Sequence, residues 1–165
     1  MKHRNRRVRG LAVVLLAAIG CARAAPSARP TEFPHDFSTA EGAVLCLEDA
    51  LRSKDVEKAV ACKEFRVEAA TMLELSLDQN TSPADLSLID KTAGVLEQSF
   101  RRDLQTRGFP DFEGVKTTFG RPGLFRNNVV VVNQVERHAD GGVVNLRTLV
   151  ANTEKGWRVV KSLDK

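Results

Sequence analysis

The last third of the chain constrains its architecture most. Three β-rich runs, Asn128–Arg137, Val143–Asn152 and Trp157–Leu163, follow one another with only short polar breaks between them. Asp140-Gly141 is a hairpin signal between the first two. Lys155-Gly156 marks the next turn. Turns this short join antiparallel neighbours. Val115–Phe119 adds a fourth candidate strand, broken by the stretch Gly120–Gly123.

The residues ahead of these strands read as helix. Ser38 and Glu41 stand at capping-box spacing before Ala43, Val44, Leu47, Ala50 and Leu51, which recur at helical spacing. Ser53-Lys54-Asp55 breaks the pattern, with Asp55 as a second N-cap. Val56, Ala59, Val60 and Phe65 begin another stripe, extended by Ala69, Met72 and Leu73. The spacing predicts a helical hairpin over about 39–52 and 56–76. Ser82-Pro83 opens a further helix whose stripe is Leu86, Ile89, Ala93, Leu96, Phe100 and Leu104, ending before Gly108. Arg101, Arg102 and Arg107 in its last turns read as a solvated face suited to a helix C-terminus, with an anion patch as the alternative.

A two-residue turn at Asp140-Gly141 would pair Val131, Asn133 and Val135 with Val150, Thr148 and Leu146, facing the helices. Val130, Val132, Leu149 and Ala151 would then share the opposite face with Gln134, Glu136, Asn145 and Arg147. A sheet covered on one side only should not carry such an apolar patch. It predicts a covering partner, with a two-fold homodimer as the economical choice and another protein as the competitor. A register slip of one residue would exchange the two faces.

The N-terminus is of another kind. Met1–Arg9 holds five cations, and Leu11–Ile19 is uninterrupted apolar. Nine helical residues rise about 14 Å, against a hydrocarbon core of about 30 Å, so the run is too short to span. Cations, a short apolar run and small residues predict a secretory signal peptide over residues 1–24. Ala22-Arg23-Ala24 is one cleavage signal. Ala18-Ile19-Gly20-Cys21 resembles a bacterial lipoprotein signal, which would make Cys21 the lipidated terminus. Either route places the protein in the periplasm, outside the cell or anchored to the envelope. Residues 25–37, rich in Pro, read as an extended tether, and residues 38–165 as one domain.

Removing the leader removes the case for nucleic acid. The chain has 25 basic and 21 acidic side chains. Six of the basic ones and none of the acids lie in Met1–Ala24, which leaves 19 against 21, a net of −2. Two cysteines remain in the body, Cys46 and Cys62, eight residues either side of Lys54. Residues equidistant from the turn of an antiparallel helix pair lie at one height. Export supplies an oxidising compartment, so the pair is expected to be bridged; two inert core thiols are the alternative. Two Cys with no nearby His do not make a zinc site.

Helices followed by a strand meander ending in Gly156-Trp157-Arg158-Val159-Val160 resemble the nuclear transport factor 2-like superfamily. Residues 39–44 at the first helix, 53–57 at the helix turn and 154–160 in the last strand carry the resemblance. It implies an α+β cone: N-terminal helices packed on a curved antiparallel sheet of about four strands, often with a pocket at the open end. It leaves function open, because the superfamily holds enzymes and non-enzymes.

The catalytic sets of that superfamily are poorly matched. The chain has no Tyr, so a Tyr–acid oxyanion hole cannot be built. The body's two histidines, His35 and His138, fall in the tether and beside the hairpin turn. Glu41, Asp55 and Asp85 are accounted for by capping. No phosphate loop, nucleophile elbow or metal-ligand cluster is present, and no cofactor is expected. The expectation is a non-catalytic exported domain binding a partner protein or a small apolar ligand, with an isomerase- or hydrolase-type enzyme or a structural envelope lipoprotein as alternatives. Candidate ligand or interface residues are Phe119, Val130, Val132, Asn133, Arg147, Leu149 and Trp157.

Overall fold

A computed structural model describes residues 32–76 and 86–164. The leader, Cys21 and the helix start expected at Ser82-Pro83 lie outside the described residues. The first helix, α1 (Ala40–Arg52), is capped by Thr39, whose hydroxyl accepts from the Gly42 N–H at 3.0 Å. Ser38, the cap expected from spacing, instead donates its N–H and hydroxyl to the Asp36 carboxylate. Lys54 takes a left-handed conformation at φ 56° and ends the turn. Asp55 caps α2 (Val56–Ala61) as expected, accepting from the Lys58 N–H at 3.0 Å.

The second helix of the expected hairpin is broken in two, α2 and α3 (Phe65–Ser76). The chain's last strand makes the break. Val159 donates its N–H to the Cys62 carbonyl at 2.9 Å and accepts from the Glu64 N–H at 2.8 Å, a parallel bridge centred on Lys63. Lys63 Nζ donates to the Val160 carbonyl at 2.8 Å, pairs with Glu68 at 3.0 Å and lies over the Phe65 and Phe100 rings. Side-chain periodicity is blind to a backbone pairing of this range, so the apolar stripe ran on through the break. The fourth helix, α4 (Leu86–Thr106), packs along α3, with Phe100 5.9 Å from Phe65. Arg101 bonds both Glu57 and Glu97 and so ties α4 to α2. That pairing uses Arg101 in a structural link rather than an anion patch.

The sheet follows as β1 (Lys116–Phe119), β2 (Gly123–Arg126), β3 (Val129–Arg137), β4 (Val143–Thr153) and β5 (Gly156–Ser162), all antiparallel. Its order is β1-β3-β4-β5, and β2 shares the β1 edge of β3. The architecture is therefore the α+β arrangement that the resemblance implies, helices first and then an antiparallel meander. It has five strands where the sequence reading found four. The extra one, β2, begins at Gly123, the end of the break that the sequence predicts. Register shifts at Leu124/Arg126 and Leu149/Val150 add local bend to the sheet.

The expected register is corrected by one residue. His138, rather than Ala139, closes the hairpin: its N–H donates to the Gly142 carbonyl at 2.9 Å, and its carbonyl accepts from the Gly141 N–H at 3.0 Å. Gly141 sits at φ 88°, the left-handed position that ends a three-residue loop. An odd loop in place of an even one moves the pairing to Val129↔Ala151 through Arg137↔Val143. Asn133 now opposes Arg147, and Val132 opposes Thr148. Every side chain of β3 thereby changes face.

Val132 and Val150 are fully buried against α1, in a core with Ala43, Val44, Phe119 and Val159. Leu149 and Ala151, on the other face, form a second core with Val129 and Val160, closed by Val67 of α3 and by Leu163. The patch Val130–Val132–Leu149–Ala151 is thus divided between two covered faces and no longer calls for a partner. A third core joins α1, α2 and α4 through Ala50, Leu51, Ala59, Cys62 and Leu104. Residues 32–37, assigned to the tether, are packed on the domain. The Phe33 ring meets Phe119 edge-on at 5.5 Å, and the Phe37 carbonyl accepts the Trp157 N–H at 2.9 Å. A Cβ at Gly42 would come within 2.5 Å of the Pro34 and Asp36 carbonyls, so glycine lets this strap lie against α1.

Candidate functional site

The inner face of the sheet, the one towards α1, changes character along its length. Val130, Val132, Gln134 and Glu136 alternate along β3 on that face, apolar at one end and polar at the hairpin end. Thr117 of β1 stands beside Glu136, and Phe119 beside Gln134. From α1, Glu48 reaches the same end. It lies one turn after Val44 and one before Leu51, on the buried stripe of the helix.

These side chains form a buried polar cluster. Thr117 Oγ1 lies 3.0 and 2.9 Å from the two carboxyl oxygens of Glu48. Gln134 Nε2 donates to Glu136 Oε1 at 3.0 Å. Glu48, Gln134 and Glu136 are 5%, 5% and 6% exposed. No cation forms an ion pair with Glu48 among the described residues. Burial, opposed by the Thr117 hydrogen bond and reinforced by the charge of Glu136, pushes the Glu48 carboxyl up to about 7. The Gln134 Oε1 atom is buried without a hydrogen-bond partner. His138 Nε2 lies 3.9 Å from Glu136 Oε2, outside hydrogen-bond range.

Val144, opposite Glu136 on β4, is 40% exposed, and Leu146, opposite Gln134, is half-buried. The cluster therefore borders a partly exposed apolar rim at the hairpin end of the inner face. Chemically it is rich in acceptors and short of donors. It can hold a proton on Glu48 near neutral pH, or accept hydrogen bonds and positive charge from outside. It contains fewer than three Asp, Glu, His or Cys side chains suitably grouped for a metal ion, and no such group occurs among the described residues.

The residues singled out by sequence are dispersed. Phe119, Val130, Val132 and Trp157 belong to the inner apolar core. Leu149 lies in the opposite core. Asn133 and Arg147 face each other on the outer side of the sheet, where both are exposed. Arg147 is bonded to Asp164, at 3.0 Å between Nη2 and Oδ1, and holds that carboxyl below its ordinary value. Glu48, Thr117, Gln134 and Glu136 are not among the residues that sequence periodicity singles out, and a two-residue turn puts Gln134 and Glu136 on the outer face. The available signal was Glu48, an acid on the apolar stripe of α1.

Cys46 and Cys62 carry free thiols and lie in the same core. Burial pushes the Cys62 thiol up to about 11, with the neighbouring Cys46 adding to the shift; burial also raises Cys46. Among the described residues no helix is long and apolar enough to cross a membrane.

No family model and no curated protein matches the chain. Two solved structures share part of its course. One, described as a calcium/calmodulin-dependent protein kinase type II association domain from Thiobacillus denitrificans, is 12% identical with a TM-score of 0.44, covering 76% of this chain and 93% of its own. The other, a ketosteroid isomerase-like protein from Erwinia carotovora atroseptica, is 14% identical with a TM-score of 0.34, covering 79% and 95%. Likenesses this low carry no argument about ligand, activity or assembly.

Proposed function

We propose that the chain is an exported ligand-binding domain whose ligand enters at the hairpin end of the inner sheet face and meets Glu48, Gln134 and Glu136. The observation that carries this reading is the buried Gln134 Oε1, left without a hydrogen-bond partner beside the carboxyls of Glu48, which has no ion-pair partner among the described residues, and Glu136, whose nearest basic side chain is His138 at 3.9 Å. Buried polar atoms in native proteins are nearly always satisfied, and the exceptions concentrate where something else binds. The expected ligand is therefore one that brings hydrogen-bond donors to the cluster, with an apolar part for the rim at Val144 and Leu146. This differs from the partner protein or small apolar ligand expected from an apolar sheet face. Export rests on the leader, Met1–Ala24. Cleavage after Ala24 and lipidation of Cys21 predict different masses for the mature N-terminus.

Isotope-labelled protein screened by nuclear magnetic resonance against small polar and amphipathic compounds tests the binding reading. Binding compounds should move the Gln134 side-chain amide and the amides of Thr117 and Glu136. A broad screen in which those signals stay fixed overturns it.

A second reading is favoured by Glu48 alone. A carboxyl poised near pH 7 is suited to general acid–base work. If the domain is an enzyme, it exchanges a proton of its bound ligand with solvent deuterium, and Glu48→Gln abolishes the exchange while binding persists.

A further inference from the structure

The hydrogen-bond inventory of the cluster narrows the ligand. The Thr117 hydroxyl has one hydrogen and stands near both oxygens of Glu48, so it can serve only one of them. The Gln134 amide nitrogen serves Glu136 Oε1. Three acceptors are left: the second Glu48 oxygen, Glu136 Oε2 and Gln134 Oε1. They come from α1 and β3; Gln134 Oε1 is buried with no hydrogen-bond partner, and Glu136 Oε2 has His138 Nε2 at 3.9 Å, beyond hydrogen-bond range. Arg52, the cation nearest along α1, is committed to Asp49 and to the Phe112 carbonyl.

We infer that the cluster receives the head group of a primary alkylammonium ion, its three N–H groups donating to Glu48, Glu136 and Gln134 and its alkyl chain lying on Val144 and Leu146. This rests on the reading of the hairpin end as a ligand site, and it names the class of ligand. One ammonium supplies three donors and a single positive charge from a compact centre. A neutral alcohol brings one donor and no charge. A quaternary ammonium brings charge and no donor. A hard divalent cation takes six to eight oxygens, more than these side chains present.

The charge balance supports this choice. The groups acting on Glu48 are Asp49 and Arg52 of its own helix, Glu136 of β3 and the Thr117 hydroxyl of β1, with His138 beyond, near Glu136. Above about pH 7 Glu48 is ionised, and the ammonium meets two carboxylates. Below that pH a proton occupies the position, and ammonium must compete with it. Affinity for a primary alkylammonium, which stays protonated across this range, should therefore fall by about tenfold or more between pH 8 and pH 5.5.

The test is calorimetric titration of the full chain in an amine-free buffer at pH 8 with n-butylammonium, tetramethylammonium, 1-butanol and calcium chloride as probes. The expected result is saturable binding of n-butylammonium, at least tenfold tighter than the two organic controls, and a loss of at least tenfold in Glu136→Gln. Gln134→Leu should lose a comparable factor. Circular dichroism checks that each variant folds, and Thr117→Val, which also disturbs Glu48, replaces any that does not. Equal binding of n-butylammonium and tetramethylammonium, or binding unchanged in Glu136→Gln, overturns the inference. Tight calcium binding does so in favour of a metal. If 1-butanol binds and moves the Gln134 amide while n-butylammonium does not, the ligand site stands and the ammonium assignment falls. If no probe moves that amide, both fall.

Discussion

Thr117 and Glu48 join the first strand to the first helix by a single hydroxyl that stands 2.9 and 3.0 Å from both oxygens of a buried carboxyl. The hydroxyl cannot neutralise the carboxylate, so the folded state prefers Glu48 protonated.

The first prediction follows from that preference. The Glu48 carboxyl titrates at about 7 in the folded chain and at 4.5 in a model peptide. Between those values the folded state binds the extra proton, so stability falls as pH rises through that window and is fully present below about 4.5. The loss amounts to about 3 kcal/mol by pH 8. Glu48→Gln should remove most of this pH dependence and be more stable than the parent at pH 8. Urea melts at pH 5 and pH 8 measure it; parallel losses in both proteins would show that Glu48 is not the group responsible.

The corrected register is tested at Val132. This side chain is fully buried against α1, whereas Asn133 beside it is exposed. Val132→Ala should cost about 2 kcal/mol or more, and Val132→Glu should prevent folding. Asn133→Ala should change stability by less than about 0.5 kcal/mol. A Val132→Glu protein that stays folded and merely changes its association state would restore the register expected from a two-residue turn.

Lys63 is the next test. Its ammonium group is almost buried, donating to the Val160 carbonyl and paired with Glu68. Removing one member of a buried pair leaves the other charge without compensation. Lys63→Ala should cost about 3–5 kcal/mol, and adding Glu68→Ala should return part of the loss. Chemical denaturation of the two variants gives the comparison, and a full loss in the double variant would locate the effect in the Val160 contact instead.

The cysteine pair gives a prediction that depends on compartment. The thiols share one core and are held protonated by burial, so they are poor nucleophiles on their own. In protein recovered from the periplasm or the medium, the enzymes of an oxidising compartment should have joined them, and thiol labelling in denaturant should find neither free. A bridge closing a loop of this length contributes about 3 kcal/mol in the chain-entropy model. Two labelled thiols would leave Cys46 and Cys62 as ordinary core residues.

Much of the fold is legible because it is local. Asp55, Lys54 and the stripe of α1 act within a few residues of themselves, and both helix ends there fall close to where spacing puts them. What is hidden depends on contacts between distant segments. Nothing near Lys63 announces that Val159 will pair there and split a helix. The hairpin turned on the difference between a two-residue and a three-residue loop, which Asp140-Gly141 permits equally. That one residue carried Gln134 and Glu136 from the outer face to the inner one, and the candidate site went with them. Glu48 alone was visible in advance, as a charged residue where the helix repeat asks for an apolar one.

The bridge between Lys63 and Val159 also bears on when the chain can fold. The break that starts α3 is held by backbone bonds to a strand 96 residues further on, and the strap at Phe37 is held by Trp157. Contacts so far apart in sequence are slow to close, because loop entropy is lost before they form. They cannot form at all until the last strand has left the ribosome. The break between α2 and α3 should therefore stay unformed until Val159 has emerged. Hydrogen exchange on a chain ending at Thr153 would show this as unprotected amides across α2 and α3, whereas native-like protection there would mean the helices assemble without their last strand.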